Sequence, residues 1–249
     1  MRRFVIVVVF VLAAAPVAGS AAPFPRFGSA SCVRDDFAVE GGSVRAELCR
    51  TGLPGGRAVV VLHGCGGFST FDHRLAAELP GYGISTLYVD YFGITRPPGK
   101  RGFCGAHGAV ENAFVTWVKI TDAAAAKLRG TPGIDPAGVG VVGWSLGGGV
   151  AVVASLAYHQ PRPFAAVAAF STGSFGNGQL ASLLPPTILL SGGRGDAIPL
   201  DETLPLFRAL RAAHVPSALY VYPQGSHAWP GRQGTLGIEH AAVFLRRYL

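Results

Sequence analysis

Ser145, Asp196 and His227 are the three side chains whose types and order could carry out nucleophilic substitution at an acyl carbon. A serine hydroxyl is a weak nucleophile at neutral pH. It needs a neutral imidazole to take its proton and a carboxylate to orient that imidazole. Ser145 stands in Gly143-Trp144-Ser145-Leu146-Gly147, after the β-branched run Val139–Val142 and before an Ala/Val-rich helical pattern. That is the strand–turn–helix context of a nucleophile elbow, in which a strained serine is flanked by glycines because larger side chains would collide. The start of the following helix favours a developing oxyanion.

Asp196 follows the apolar run Thr187–Leu190 in a Gly-rich turn, and His227 follows Ala218–Tyr222. Each therefore comes just after the end of an expected strand, as Ser145 does, and parallel strands bring those ends to one edge of a sheet. Other candidates have simpler roles. His214 and His240 fall within helical patterns, His159 near a helix end, Asp122 mid-helix, and Asp201 where a helix N-cap is expected. The oxyanion would be held by the backbone N–H of Leu146, after the nucleophile, and of Cys65 in His63-Gly64-Cys65-Gly66-Gly67, with His63 holding that loop. Phe68, Phe92, Trp144 and Trp229 flank these motifs and are the aromatic candidates to line a substrate pocket. With an ordinary histidine as base, activity should fall below about pH 6.5.

The elements that must position these groups alternate along the chain. Short strands are expected at Asp36–Glu40 and Val44–Cys49, around Gly41-Gly42. Buried strands are expected at Ala58–Leu62, Ile84–Val89, Val139–Val142, Ala165–Phe170, Thr187–Leu190 and Ala218–Tyr222. Helices are expected at Thr70–Leu79, Ala109–Leu128, Leu146–Tyr158, Leu204–Ala213 and Ile238–Tyr248, with a loop over Asp90–His107. This alternation predicts an α/β fold: a mostly parallel central sheet with helices on both faces.

Composition narrows the function classes. Hydrophobic residues make up 49% and charged residues 14% of 249, a core-rich balance that excludes a disordered chain. The net charge of +7 comes from scattered basic residues with no basic stripe among aromatics, so no nucleic-acid partner is expected. Met1–Ala22 has Arg2-Arg3, an apolar run Phe4–Ala15 and then small residues, the layout of a secretory signal peptide too short to span a bilayer. The expected organisation is a signal over 1–22, an enzyme domain over 23–249, export to the periplasm or outside the cell, and no stable membrane insertion after cleavage. The cysteines, Cys32, Cys49, Cys65 and Cys104, all lie in the exported part, where disulfides form. Of the three pairings, Cys32–Cys49 would tie neighbouring N-terminal strands and Cys65–Cys104 two loops at the site's rim. No C-x-x-C pair supports a metal or redox site, and the chemistry above requires no cofactor or metal.

Together, His63-Gly64-Cys65-Gly66-Gly67, Asp90-Tyr91-Phe92, Gly143-Trp144-Ser145-Leu146-Gly147-Gly148, Gly192 to Pro199 and Gly225-Ser226-His227 resemble the dienelactone hydrolase family. The resemblance implies an α/β-hydrolase fold, and with no long cap insertion in the sequence little or no cap domain is expected. It also implies a hydrolase with Ser145, Asp196 and His227 as its triad, and the residues together predict an exported serine esterase acting on a small-molecule ester or lactone. Two departures stand out. Dienelactone hydrolases proper use a cysteine nucleophile, and they carry a glutamate where this chain has Gly64-Cys65. The Gly-Trp-Ser-x-Gly-Gly-Gly run is also similar to that of secreted polyesterases and cutinases. A polyesterase, a peptidase and a non-catalytic binding protein on the same fold are therefore the alternatives.

Overall fold

A computed structural model describes residues 31–51, 56–95, 97–99, 102–156, 162–174 and 177–249. The expected signal over 1–22 lies outside the described residues, and so does His159. The central sheet has eight strands: β1 (Ser31–Arg34), β4 (Ala46–Arg50), β5 (Gly56–Leu62), β6 (Ile84–Val89), β7 (Ile134–Trp144), β8 (Val167–Phe170), β9 (Thr187–Ser191) and β10 (Ser217–Val221). A small hairpin, β2 (Phe37–Val39) with β3 (Gly42–Val44), stands beside it. The sheet order is β1-β4-β6-β5-β7-β8-β9-β10. From β6 to β10 every pairing is parallel, while β4 pairs antiparallel with both β6 and β1.

Among the described residues five α-helices cover the sheet: α1 (Thr70–Glu78), α2 (His107–Arg129), α3 (Leu146–Ala154), α4 (Leu200–Ala212) and α5 (Gly231–Tyr248). Strand β5 shows why its apolar run is continuous. Ala58, Val60 and Leu62 pack against α2 and α3, whereas Val59 and Val61 face the side of α1 and α5. A strand buried on both faces cannot afford the polar alternation of a half-exposed one. The expected mostly parallel sheet with helices on both faces is the one observed.

The differences lie mainly at element ends. The expected strand over Asp36–Glu40 shortens to β2, which turns at Gly41-Gly42 into β3, both glycines having positive φ, and Val44–Cys49 divides at Arg45 between β3, in the hairpin, and β4, in the main sheet. Strand β1 carried no sequence signal. It pairs with β4 so that Cys32 lies opposite Cys49, and the two form a disulfide. Helix α4 begins at Leu200, so Pro199 is its N-cap and Asp201 falls in the first turn instead of capping it. His214 lies beyond the end of α4, at φ 56°. Helix α5 starts at Gly231, a turn or more before the expected Ile238, despite three glycines in its first half.

Candidate active site

The glycines around Ser145 are there because the backbone leaves no space. Strand β7 ends at Trp144, Ser145 takes φ 56° and ψ −121°, and α3 begins at Leu146. A Cβ on Gly143 would lie 2.1 Å from Gly147 O, and one on Gly147 would lie 2.3 Å from His63 O. Both are impossible contacts, so the elbow admits only glycine at these two positions. The serine itself is held off the usual backbone regions, a strain that persists only where the surroundings enforce it. It is tied to the neighbouring strand by its N–H, which donates to Phe170 O at 2.8 Å.

The three sequence candidates meet at the carboxyl edge of the sheet. His227 Nε2 lies 3.0 Å from Ser145 Oγ, and His227 Nδ1 lies 2.6 Å from Asp196 Oδ1. Ser145 is 8% exposed, the His227 side chain 24% and the Asp196 side chain 0%. Burial alone would raise the Asp196 carboxyl. Hydrogen bonds from His227, Ser171 and the N–H groups of Ile198 and Gly192 outweigh it and hold the group below the usual carboxylate range. The acid is thus kept ionised in a buried place. The histidine loop is fixed on both sides. Trp144 Nε1 donates to His227 O at 2.8 Å. Gln233 accepts from Ser226 N–H through Oε1 and donates to Ser226 O through Nε2, each at 2.9 Å.

The loop after β5 is braced from several directions. Gly64 and Gly67 close a tight turn, with Gly67 N–H donating to Gly64 O at 3.1 Å. Cys65 is joined to Cys104 by a disulfide, and Phe103 N–H donates to Cys65 O at 2.7 Å. Among the described residues no acceptor is recorded for the Cys65 N–H. The Leu146 N–H is the first of its helix and has no intrahelical acceptor. His63 is fully buried, with Nδ1 2.9 Å from Gly64 O and its ring stacked 4.2 Å from that of Tyr91. Tyr91 Oη–H donates to His63 O at 2.8 Å. This agrees with a loop-holding part for His63. Its Nε2 faces Asp90, 3.7 Å from Oδ1, and Asp90 is paired with Arg45.

The aromatic candidates divide. Phe68 is 49% exposed and Trp144 is half-buried beside His227, 5.2 Å between ring centroids. Phe92 and Trp229 are 4% and 1% exposed and pack in the two cores, so neither offers a face to a substrate. A cleft of about 840 Å³ opens beside the end of the loop after β5, with Phe68, Tyr88, Arg45 and His73 among its lining residues. A possible ligand cluster, Cys32, Glu47 and Cys49, has both sulfurs committed to the disulfide and so has no thiolate to offer a metal. Sequence reasoning missed Ser171 and Gln233. Nothing in the type or spacing of a serine or a glutamine announces such roles.

The Dienelactone hydrolase family model matches residues 51–244. An uncharacterized protein of Mycobacterium tuberculosis is 29% identical over 198 residues, 70% of this chain, and the chain spans only 64% of that relative's length. Among solved structures, a dienelactone hydrolase from Anabaena variabilis has a TM-score of 0.66 at 21% identity, covering 89% of this chain and 100% of that one. A dienelactone hydrolase-like promiscuous phosphotriesterase from metagenomic libraries has a TM-score of 0.75 at 15% identity, covering 89% and 99%. These likenesses establish the α/β-hydrolase fold.

Proposed function

This chain belongs to the dienelactone hydrolase family, and from that premise we propose that it is an exported serine hydrolase that cleaves carboxylic esters or lactones. The observation that carries the reading is the unbroken line from Ser145 Oγ through His227 to Asp196, at 3.0 and 2.6 Å, ending on a strained elbow. Ser145 Oγ attacks the carbonyl carbon while His227 Nε2 takes its proton. Asp196 Oδ1 holds the Nδ1–H and stabilises the imidazolium. The Leu146 and Cys65 N–H groups receive the oxyanion; one such donor is typically worth about 3–4 kcal/mol in the transition state. His227 returns the proton to the leaving alkoxide. The acyl-enzyme is then hydrolysed by water that His227 deprotonates in its turn.

Export rests on two disulfides and on the layout of residues 1–22; no helix among the described residues is long and apolar enough to cross a membrane. The test is hydrolysis of p-nitrophenyl acetate, butyrate and octanoate by the chain beside its Ser145→Ala variant. Turnover by the parent, reduced at least ~1,000-fold in a folded variant, is the expected result. Equal turnover by both would remove Ser145 from the chemistry.

A further inference from the structure

Asp196 is held by more than His227. Its Oδ1 accepts from His227 Nδ1–H at 2.6 Å and Ile198 N–H at 3.1 Å; its Oδ2 accepts from Gly192 N–H at 2.6 Å and from the Ser171 hydroxyl at 2.5 Å. Ser171 follows the last residue of β8, is 1% exposed and has φ 46°. Its hydroxyl is also 2.8 Å from Trp229 Nε1. An indole N–H can only donate, so Ser171 Oγ must accept from it, and its own hydrogen is directed at the carboxylate.

Trp229 lies two residues beyond His227, at φ 49°, with its ring 5.7 Å from Phe71, 5.0 Å from Phe170 and 5.0 Å from Tyr222. A Cβ on Gly237 of α5 would come within 2.7 Å of that ring. One buried side chain therefore anchors the loop that carries His227 and, through one hydroxyl, orients the acid that serves it. Three of the four non-glycine residues with positive φ among those described, Ser145, Ser171 and Trp229, belong to this one assembly. Clustering of backbone strain at one place marks a geometry that the fold enforces.

We propose that Ser171 and Trp229 are positioning residues: the indole aims the Ser171 hydroxyl, the hydroxyl occupies Asp196 Oδ2, and His227 is left to bond Oδ1. The inference rests on the reading of His227 as the base. The groups facing Asp196 are His227, Ser171 and the N–H groups of Gly192 and Ile198, and none of these is a second anion. Removing the Ser171 donor leaves more of the carboxylate's charge to His227, which then keeps its proton to higher pH.

The test follows the His227 imidazole by NMR as pH is varied, in the full chain and in Ser171→Ala, Ser171→Gly and Trp229→Phe, with its signals assigned by their loss in His227→Gln. The expected result is an upward shift of the titration midpoint by roughly half a unit in Ser171→Ala. Ser171→Gly should shift it equally, since glycine relieves φ 46° but also lacks the hydroxyl. Trp229→Phe should shift it less and in the same direction. The acid limb of kcat/KM should follow, so that Ser171→Ala loses about threefold more activity at pH 6 than at pH 8. An unmoved midpoint in both Ser171 variants, with thermal stability lowered, would overturn the proposal and leave Ser171 a packing residue. The NMR signal reads His227 whether or not the chain turns over an ester. A shifted midpoint in a chain that hydrolyses no ester would count against the proposed function alone.

Discussion

Ser145 is as much a matter of clearance as of chemistry. The elbow brings Gly147 under the carbonyls of Leu62 and His63, and any side chain at 147 would push the turn that carries Ser145, the proposed nucleophile, off the end of β5. Gly147→Ala should therefore cost about 2–4 kcal/mol, seen as a lowered denaturation midpoint in urea, with esterase activity lost at least in proportion. Gly67, where a Cβ would meet nothing within 4 Å, makes a useful contrast. Its φ of 84° still strains an alanine, but by the smaller cost of the left-handed region, about 1–2 kcal/mol. At this scale the sequence was informative wherever a residue type is rare or tied to a spacing. Glycines around a serine, an aspartate after one strand and a histidine after another were legible. The side chains of Phe92 and Trp229 were not. Proximity to a motif does not say which way a chain turns, and at Trp229 the positive φ belongs to a turn that sends the indole into the core.

One disulfide ties two strands and the other two loops, and the two bridges should behave differently. Loop-closure entropy assigns roughly 3–4 kcal/mol to each, for separations of 17 and 39 residues. Cys32–Cys49 joins β1 to β4 at the sheet's edge, so Cys32→Ser with Cys49→Ser should lower the melting temperature and leave kcat nearly unchanged at a temperature where the variant is folded. Cys65–Cys104 holds the loop proposed to present an oxyanion donor. Cys65→Ser with Cys104→Ser should lower kcat at least tenfold with little change in KM, beyond its cost in stability. Equal kcat losses in both pairs would contradict a catalytic part for the second bridge. Element ends were the least legible features. Gly231, Gly234 and Gly237 read as helix breakers, yet α5 runs through them, and two of the three lie close against Trp229: a Cβ on Gly234 would lie 2.4 Å from Trp229 O, and one on Gly237 2.7 Å from its ring. Strand β1 is too short and too mixed to show periodicity, and its partner strand gives it its structure.

Across the whole molecule, two carboxylates couple the site to acid stability. Burial raises both Asp90 and Asp196, but the charges and hydrogen bonds around them win and leave each below the usual carboxylate range. For Asp90 the opposing partners are His63 and Arg45. A carboxyl depressed in the folded state contributes stability above its unfolded value, near pH 4, and that contribution is lost as pH falls through the folded value. Stability should therefore fall as pH drops below about 4, and Asp90→Asn or Asp196→Asn should flatten that fall in urea titrations between pH 4.5 and 2.5. A parent and variants with parallel curves would show that neither group is linked to folding. The parallel order of β6 to β10 was legible from apolar runs alternating with helical patterns. With it came the meeting of Ser145, Asp196 and His227 at one edge, since each follows a strand that runs the same way.

The most direct test of the account is covalent labelling with a fluorophosphonate, followed by peptide mass spectrometry to locate the adduct. The account predicts one phosphonyl group per chain, on Ser145, formed at least ~100-fold more slowly in His227→Ala. A label on another residue, or the same rate of labelling without His227, would contradict Ser145 as a nucleophile activated by that histidine.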